Sequence, residues 1–232
     1  MIRVQACDLD ALAGEISDCR ACPRLVEWRE SVAREKRASF RDDTYWGRPV
    51  PGFGDPNARV LVVGLAPAAH GGNRTGRVFT GDRSGDFLFA SMFRCGFANQ
   101  ALSVAIDDGL VLHDAYVAAA VRCAPPANKP TPAERDECAP YLRRELELLD
   151  RIRVIVALGA FGFEAVWAAL RASEEFGGEL PVRRPKFAHL LEVPCGPLTV
   201  LGSFHPSQQN TFTGRLTPEM LDAVFLRAAA LT

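Results

Sequence analysis

The chain of 232 residues has 48% apolar and 24% charged side chains, which is typical of a folded globular protein. Its length suits one sizeable α/β domain, and the apolar fraction and lack of repeats exclude disorder, collagen and coiled coil. The net charge of −1 does not by itself predict a polyanion partner. The sequence contains no apolar run of about 18 residues and no basic segment leading into one at its start, so we expect a cytosolic protein with no membrane partner.

The first quarter of the chain predicts a short helix followed by a long arm. Apolar residues recur at helical spacing over residues 9–18. Residues 23–57 are charged and rich in turn-forming residues, and the prolines and glycines over 49–56 argue against regular structure there. We interpret residues 1–58 as an N-terminal arm packed over a single domain that spans residues 1–232.

Beyond the arm, apolar runs alternate with helical patterns. Four runs predict buried parallel strands, at residues 59–64, 115–121, 154–158 and 198–201. Helices are predicted at residues 84–94, 131–151, 161–172 and 218–231, and a β excursion at 181–193. This alternation predicts a three-layer α/β/α fold with a central four-stranded parallel sheet.

Unusual segments follow all four predicted strands, at residues 64–71, 122–129, 159–162 and 203–207. Ligands bind beyond the carboxyl ends of the strands in open α/β sheets, so these segments predict one binding crevice. The sequence has no GxxxxGK[ST], GxGxxG or GxSxG motif. ATP hydrolysis, NAD binding and acyl transfer therefore have no support.

Four of the seven cysteines form a candidate metal site. Cys19 and Cys22 make a CxxC pair, Cys123 follows the second strand, and Cys138 lies on the next predicted helix. Four thiolates suit a structural zinc ion or an iron–sulfur cluster, and their spacing does not separate the two. The remaining cysteines are interpreted as buried apolar residues: Cys7, Cys95 and Cys195.

Three motifs stand at the ends of predicted strands. The first is Gly64-Leu-Ala-Pro-Ala-Ala-His-Gly and continues through Arg77-Val-Phe-Thr-Gly-Asp; the others are Cys123-Ala-Pro-Pro-Ala-Asn-Lys-Pro and His205-Pro-Ser-Gln-Gln-Asn-Thr. With the four cysteines, they resemble the uracil-DNA glycosylase superfamily, and within it the iron–sulfur type B enzymes, or family 5. The resemblance runs from Cys19 to the end of the chain. It implies a 4Fe-4S cluster on those cysteines and excision of uracil from DNA, which leaves an abasic site.

The chain departs from the wider superfamily at two places. Relatives carry a water-activating Asp, Asn or Glu in the first motif, where this chain has Leu65, Ala66, Ala68 and Ala69. Many also have a uracil-reading Asn at the end of the second strand, where this chain has three alanines, residues 118–120. Family 5 is expected to show these substitutions. They leave the identity of the general base undetermined, and they fit a pocket with low selectivity among bases.

Cleavage of an N-glycosidic bond places negative charge on the departing base. We expect His205 to donate a hydrogen bond to a uracil carbonyl and Phe79 to stack on the extruded base. Asp82 is the candidate for activating water, although it also suits the N-cap of the following helix. Asn128 is expected to orient the water or the base.

Further residues are expected to bind substrate or DNA. The substrate-binding set is completed by Gly64, Ala66, Ala68, His70 and Asn210. Residues 208–215 are interpreted as a DNA-probing loop, in which amides meet a groove edge, an aromatic ring enters the stack and an arginine holds phosphate. The expected DNA contacts are Arg77, Gln208, Gln209, Phe212 and Arg215.

Two other functions remain open at this point: a non-catalytic iron–sulfur or zinc DNA-binding module, and an electron-transfer protein. Within the glycosylase interpretation, the sequence does not rank uracil against hypoxanthine, xanthine, ethenocytosine or hydroxymethyluracil. We expect a monomer that acts on DNA containing uracil or other damaged bases.

Overall fold

The structure is a computed structural model that describes residues 2–174 and 176–232, with side chains described from Asp8 onward in the first helix. The prediction for Cys7 therefore lies outside the described residues. The N-terminal region forms α1 (Ile2–Asp18), α2 (Pro23–Glu35) and the short strand β1 (Phe53–Gly54). No helix in the described chain is long and apolar enough to cross a membrane.

A six-stranded sheet forms the middle layer. After β1 come β2 (Val60–Gly64), β3 (Ala115–Ala119), β4 (Val154–Leu158), β5 (Glu192–Cys195) and β6 (Leu198–Ser203), in the spatial order β1-β3-β2-β4-β6-β5. The inner four strands are parallel, which confirms the predicted four-stranded core of the sheet. The two edge strands are antiparallel additions. The predicted β excursion at 181–193 overlaps β5 only at its last two residues, and residues 181–191 form no strand. Strand β1 was not predicted.

The predicted helices are confirmed, with small changes at their ends except in α1, which begins at Ile2 and not at residue 9. The remaining helices are α3 (Gly72–Thr75), α4 (Arg83–Arg94), α5 (Pro132–Leu148), α6 (Gly159–Arg171), α7 (Gln208–Phe212) and α8 (Pro218–Ala230). Because α6 begins directly after β4, residues 159–162 form its first turn and not a separate loop. The segment 208–215, expected to be a loop, contains the five-residue helix α7.

Apolar cores lie on both faces of the sheet. Alternate residues of β2 point to opposite sides: Leu61 and Val63 pack in one core, and Val60 and Val62 in the other. Helices α5 and α6 contribute to the first core, and α4 and α8 to the second. Both faces are therefore covered, which explains the continuous apolar runs in the sequence.

The arm contains a helix that the sequence analysis missed. In α2, Pro23 occupies the first turn, and Leu25, Val26, Arg29 and Val32 form its buried stripe. Proline is favourable at a helix start because its missing N–H has no intrahelical partner there. The buried arginine interrupts the apolar pattern, which is why residues 23–35 read as a charged arm.

Candidate active site

A cavity of about 620 Å³ opens beyond the carboxyl ends of the inner strands. All three motifs contribute to its wall. The lining residues are Leu65, Ala66, Ala68, Phe79, Asp82, Ser84, Ala127, Asn128, Lys129, His205, Ser207, Gln208 and Gln209. The structure thus brings together the four residues expected to do chemistry or stack on the base, from segments that are distant in sequence.

Phe79 forms an aromatic wall of the cavity. Its backbone has a positive φ of 52°, and its ring is buried against the end of β2. A Cβ atom on Gly64 would lie 2.6 Å from Phe79 Cζ, so only glycine lets the ring pack this closely. The Phe79 and His205 ring centroids are 5.9 Å apart, and the rings are tilted by 34°. Both rings therefore face the space where a flat base can enter.

His205 is half-buried and held by its backbone. Asn210 donates a hydrogen bond from Nδ2 to the His205 carbonyl oxygen at 2.8 Å, which is the role the structure gives this amide. A Cβ atom on Gly159 would lie 3.1 Å from His205 Cβ, so the start of α6 packs closely on the imidazole. Burial lowers the pKa of His205 to about 4. The imidazole is therefore neutral at pH 7 and has one N–H to donate.

Asp82 is both the N-cap of α4 and a residue of the cavity wall. Its Oδ1 accepts hydrogen bonds from the backbone N–H groups of Ser84 at 2.9 Å and Gly85 at 3.0 Å. A Cβ atom on Gly71 would lie 2.1 Å from Asp82 Oδ2, so glycine makes room for the second oxygen. Burial raises the pKa of Asp82, and the two backbone N–H groups partly offset that rise.

Asn128 stands on the exposed rim of the cavity, beside Ala127 and Lys129. Ala127 and Asn128 both have positive φ, at 53° and 55°. Asparagine tolerates this left-handed conformation better than most residues. Lys129, which was not among the predicted site residues, brings a positive charge to the same rim.

Two expected site residues are held elsewhere by protein contacts. His70 does not line the cavity described above; its Nδ1 is hydrogen-bonded to the Tyr45 hydroxyl at 2.9 Å. Arg77 is buried, which argues against the DNA contact expected of it. Its guanidinium donates to Asp108 at 2.7 Å and to Ser103 Oγ at 2.8 Å. Arg77 thus fixes the loop that follows Ser103, and its charge is already paired.

The exposed face next to the cavity carries paired arginine and phenylalanine side chains. Phe212 is 67% exposed at the end of α7, and the Arg83 guanidinium lies 5.3 Å from the centre of its ring. Arg215 lies 4.7 Å from the ring centre of Phe204. Neither Arg83 nor Phe204 was among the predicted site residues, because only the fold brings each ring and its arginine together.

The four expected metal-ligand cysteines line one small cavity between α2, β3 and α5: Cys19, Cys22, Cys123 and Cys138. Burial raises the pKa of Cys22, Cys123 and Cys138 to about 11 in each case. In the described part of the chain, no three His, Cys, Asp or Glu side chains stand in a geometry that holds a single metal ion. Of the cysteines interpreted as apolar, Cys195 is buried and Cys95 is half-buried.

Two buried arginines border the cysteine cavity. Arg122 makes a buried, two-pronged ion pair with Glu145. Arg29 instead donates to Cys123 Sγ at 2.9 Å and to the Cys19 carbonyl oxygen at 3.2 Å, and its Nε has no partner among the described residues. A buried guanidinium is costly unless an anion balances it. The Glu30 carboxylate lies 3.9 Å from Arg29, too far for a hydrogen bond, so the charge of Arg29 is only partly balanced. The four thiols and this partly balanced charge together fit an anionic group held by the cysteines.

Comparison with known proteins agrees with this geometry. Residues 51–228 match the family model described as the Uracil DNA glycosylase superfamily. The chain belongs to this superfamily. The resemblance carried by the three motifs is thereby confirmed.

Several curated proteins that are similar to this chain carry the name Type-5 uracil-DNA glycosylase. The protein of Mycobacterium tuberculosis is 54% identical over 97% of this chain and 81% of its own length. That of Mycobacterium leprae is 50% identical over 100% of this chain and 99% of its own. That of Thermus thermophilus is 50% identical over 97% and 98%. The similarity therefore includes the N-terminal arm, most of which lies outside the match to the family model.

Proposed function

We propose that this protein is a uracil-DNA glycosylase of base excision repair, which hydrolyses the bond between uracil and deoxyribose and leaves an abasic site. The convergence of Phe79, Asp82 and His205 on one cavity of about 620 Å³ carries this proposal. A base must leave the DNA stack to reach such a cavity. The names of the 50–54% identical relatives support uracil as the base.

Departure of the base is the demanding step. The bond between C1′ and the base nitrogen breaks, the electron pair goes to the base, and the sugar becomes oxocarbenium-like. A neutral His205 N–H, with the pKa of His205 lowered to about 4, is suited to donate to a carbonyl oxygen of the departing base. This hydrogen bond strengthens as negative charge accumulates on the oxygen, so it favours the transition state over the ground state.

Asp82 is suited to position the attacking water. Two backbone N–H groups hold Oδ1, and Oδ2 lies where Gly71 leaves room for it. In the proposed step, the water oxygen forms a bond to C1′ and its proton passes to the Asp82 carboxylate. Asn128, on the rim, orients the water or the base.

The cavity wall also bears on the range of bases. Ala66 and Ala68 face the cavity with short side chains that carry no polar group. A part of the wall that carries no polar group penalises a misfit base only weakly. We therefore propose that other deaminated or damaged bases are excised as well as uracil. Gln208 and Gln209, also in the wall, and the exposed Phe212 and Arg215 are proposed to contact the DNA strand.

We further propose that Cys19, Cys22, Cys123 and Cys138 hold a structural 4Fe-4S cluster. The support is their shared cavity and the buried Arg29, which donates to Cys123 Sγ while the Glu30 carboxylate lies 3.9 Å away and is hydrogen-bonded to Arg20. A polynuclear cluster holds its sulfurs farther apart than a single ion does. Such a cluster ties α2 to β3 and α5, and no step of the reaction passes through it.

One DNA duplex with a single uracil tests the activity. Release of free uracil with an abasic product is the expected result; retention of the DNA without cleavage would identify a binding module instead.

Visible absorbance of the purified protein tests the cluster. A colourless protein with stoichiometric zinc would contradict it.

A further inference from the structure

A second cleft, of about 280 Å³, adjoins the active-site cavity. The two spaces share Leu65 and His205 in their walls. Three aromatic residues from different parts of the chain line only the second space: Phe161, Phe187 and Phe204. We call this space the aromatic cleft. The mechanism above makes no use of it.

The rings of the aromatic cleft are not sealed inside the core. Phe161, Phe187 and Phe204 are each half-buried, and the Phe187 and Phe204 centroids are 6.3 Å apart. His189 stacks on Phe204 at 5.1 Å, which supports that ring. The Arg215 guanidinium lies 4.7 Å from the Phe204 centroid. Partly exposed rings with a cation beside them are the features that bind unpaired nucleobases and their phosphates.

A basic segment leads directly into the cleft. Residues 181–187 read Pro-Val-Arg-Arg-Pro-Lys-Phe, and the last of them is the cleft residue Phe187. Arg183, Arg184 and Lys186 are all exposed. Of the three, Arg184 pairs with Glu164 at 3.0 Å. On a protein of net charge −1, this concentration of positive charge gives the cleft a local attraction for phosphate.

We propose that the aromatic cleft binds the nucleobase next to the excised one in the same DNA strand, with Arg215 and the basic segment contacting the adjoining phosphates. This inference rests on the proposed function. Because the two spaces share a wall, a strand that delivers one base to the first places its neighbour within reach of the second. Any base can stack on phenylalanine, so the site should select a locally unpaired strand without selecting a particular sequence.

The test pairs a change in DNA with a change in protein. Single-turnover excision is measured on a uracil strand whose 5′ or 3′ neighbour is a tetrahydrofuran residue, which has no base. With the unaltered protein, loss of the neighbour on one side should weaken apparent DNA affinity about 5- to 150-fold, the range for one stacked base. Phe187→Leu keeps apolar volume but removes the ring. It should therefore bind DNA with a normal neighbouring base as weakly as DNA with the tetrahydrofuran neighbour, and no longer distinguish the two.

Two further variants complete the design. Phe93→Leu, at an exposed phenylalanine of α4, should keep the discrimination of the unaltered protein. The double variant R183A/K186A should lessen the salt dependence of binding, because it removes phosphate contacts. The proposal would be overturned if the unaltered protein bound DNA equally well with and without the neighbouring base on either side. It would also be overturned if Phe187→Leu distinguished the two kinds of DNA as strongly as the unaltered protein does. Failure of the proposed function is a separate result, since no substrate would then release uracil.

Discussion

The Arg29 guanidinium donates a hydrogen bond to the Cys123 sulfur at 2.9 Å, and both groups are buried. Arg29 comes from α2 and Cys123 follows β3, so this contact joins the N-terminal arm to the sheet. The nearest carboxylate, Glu30, is 3.9 Å from Arg29 and is hydrogen-bonded to Arg20. The positive charge of Arg29 is therefore directed at the cysteine cavity.

Arg29→Met should lower both the stability of the protein and its retention of the proposed cluster. Removal of one partner from a buried ionic contact typically costs about 3–5 kcal/mol, because the remaining charge loses its balance. Iron content, visible absorbance and the free energy of unfolding measure the effect. Arg34→Met, at an exposed position of the same helix, is the control and should leave all three unchanged. A fully loaded, equally stable Arg29→Met protein would contradict the charge-balance argument.

His205→Ala should lower the single-turnover excision rate about 10²- to 10³-fold, the loss expected when one donor to a developing anion is removed. Affinity for uracil-containing DNA should change little, because the hydrogen bond matters most in the transition state. His113→Ala, at an exposed histidine, provides the matched control. A rate close to that of the unaltered protein would remove His205 from the chemistry.

The excision rate should depend on pH in one direction only. Because burial lowers the pKa of His205 to about 4, the imidazole stays neutral as pH rises through 6.5, and the rate should not fall there. Burial raises the pKa of Asp82, so the carboxylate is lost by protonation at a higher pH than for an ordinary Asp. The rate should therefore fall as the solution is acidified. Single-turnover excision rates across pH test this, with Asp82→Asn for comparison. The variant should excise uracil slowly, and its rate should no longer fall as the pH is lowered.

Gly64→Ala should impair excision through the Phe79 ring. The new Cβ would lie 2.6 Å from Phe79 Cζ, which is closer than such atoms approach, so the ring must move within the cavity wall. Gly14→Ala is the control, because its Cβ meets nothing within 4 Å and a helix favours alanine over glycine by about 1 kcal/mol. Excision and thermal unfolding should both be measured. Unchanged excision by Gly64→Ala would show that the ring position is unimportant.

Arg77→Ala should destabilise the fold and leave DNA affinity per folded molecule unchanged. The substitution removes the arginine partner of the buried Asp108 carboxylate. The carboxylate keeps hydrogen bonds from the backbone N–H groups of Val104, Ala105 and Leu110, so we expect the lower end of about 3–5 kcal/mol. Denaturant unfolding and DNA binding at several salt concentrations separate the two effects. A smaller salt dependence of binding in this variant would show that Arg77 contacts phosphate after all.

The sequence alone determined the parallel core of the sheet, because strands covered on both faces read as continuous apolar runs such as residues 154–158. It also determined that the segments carrying Asn128 and His205 meet, since parallel strands end at one edge of the sheet. Asp82 lies well beyond the end of its strand, and the tertiary structure decided its place in the cavity wall. Tertiary structure decided what local patterns cannot encode. The burial that sets the charge of His205, the partner that occupies Arg77 and the balance supplied by Arg29 all depend on contacts between residues far apart in sequence. Burial and charge pairing depend on distance in space, and only the folded chain fixes that distance.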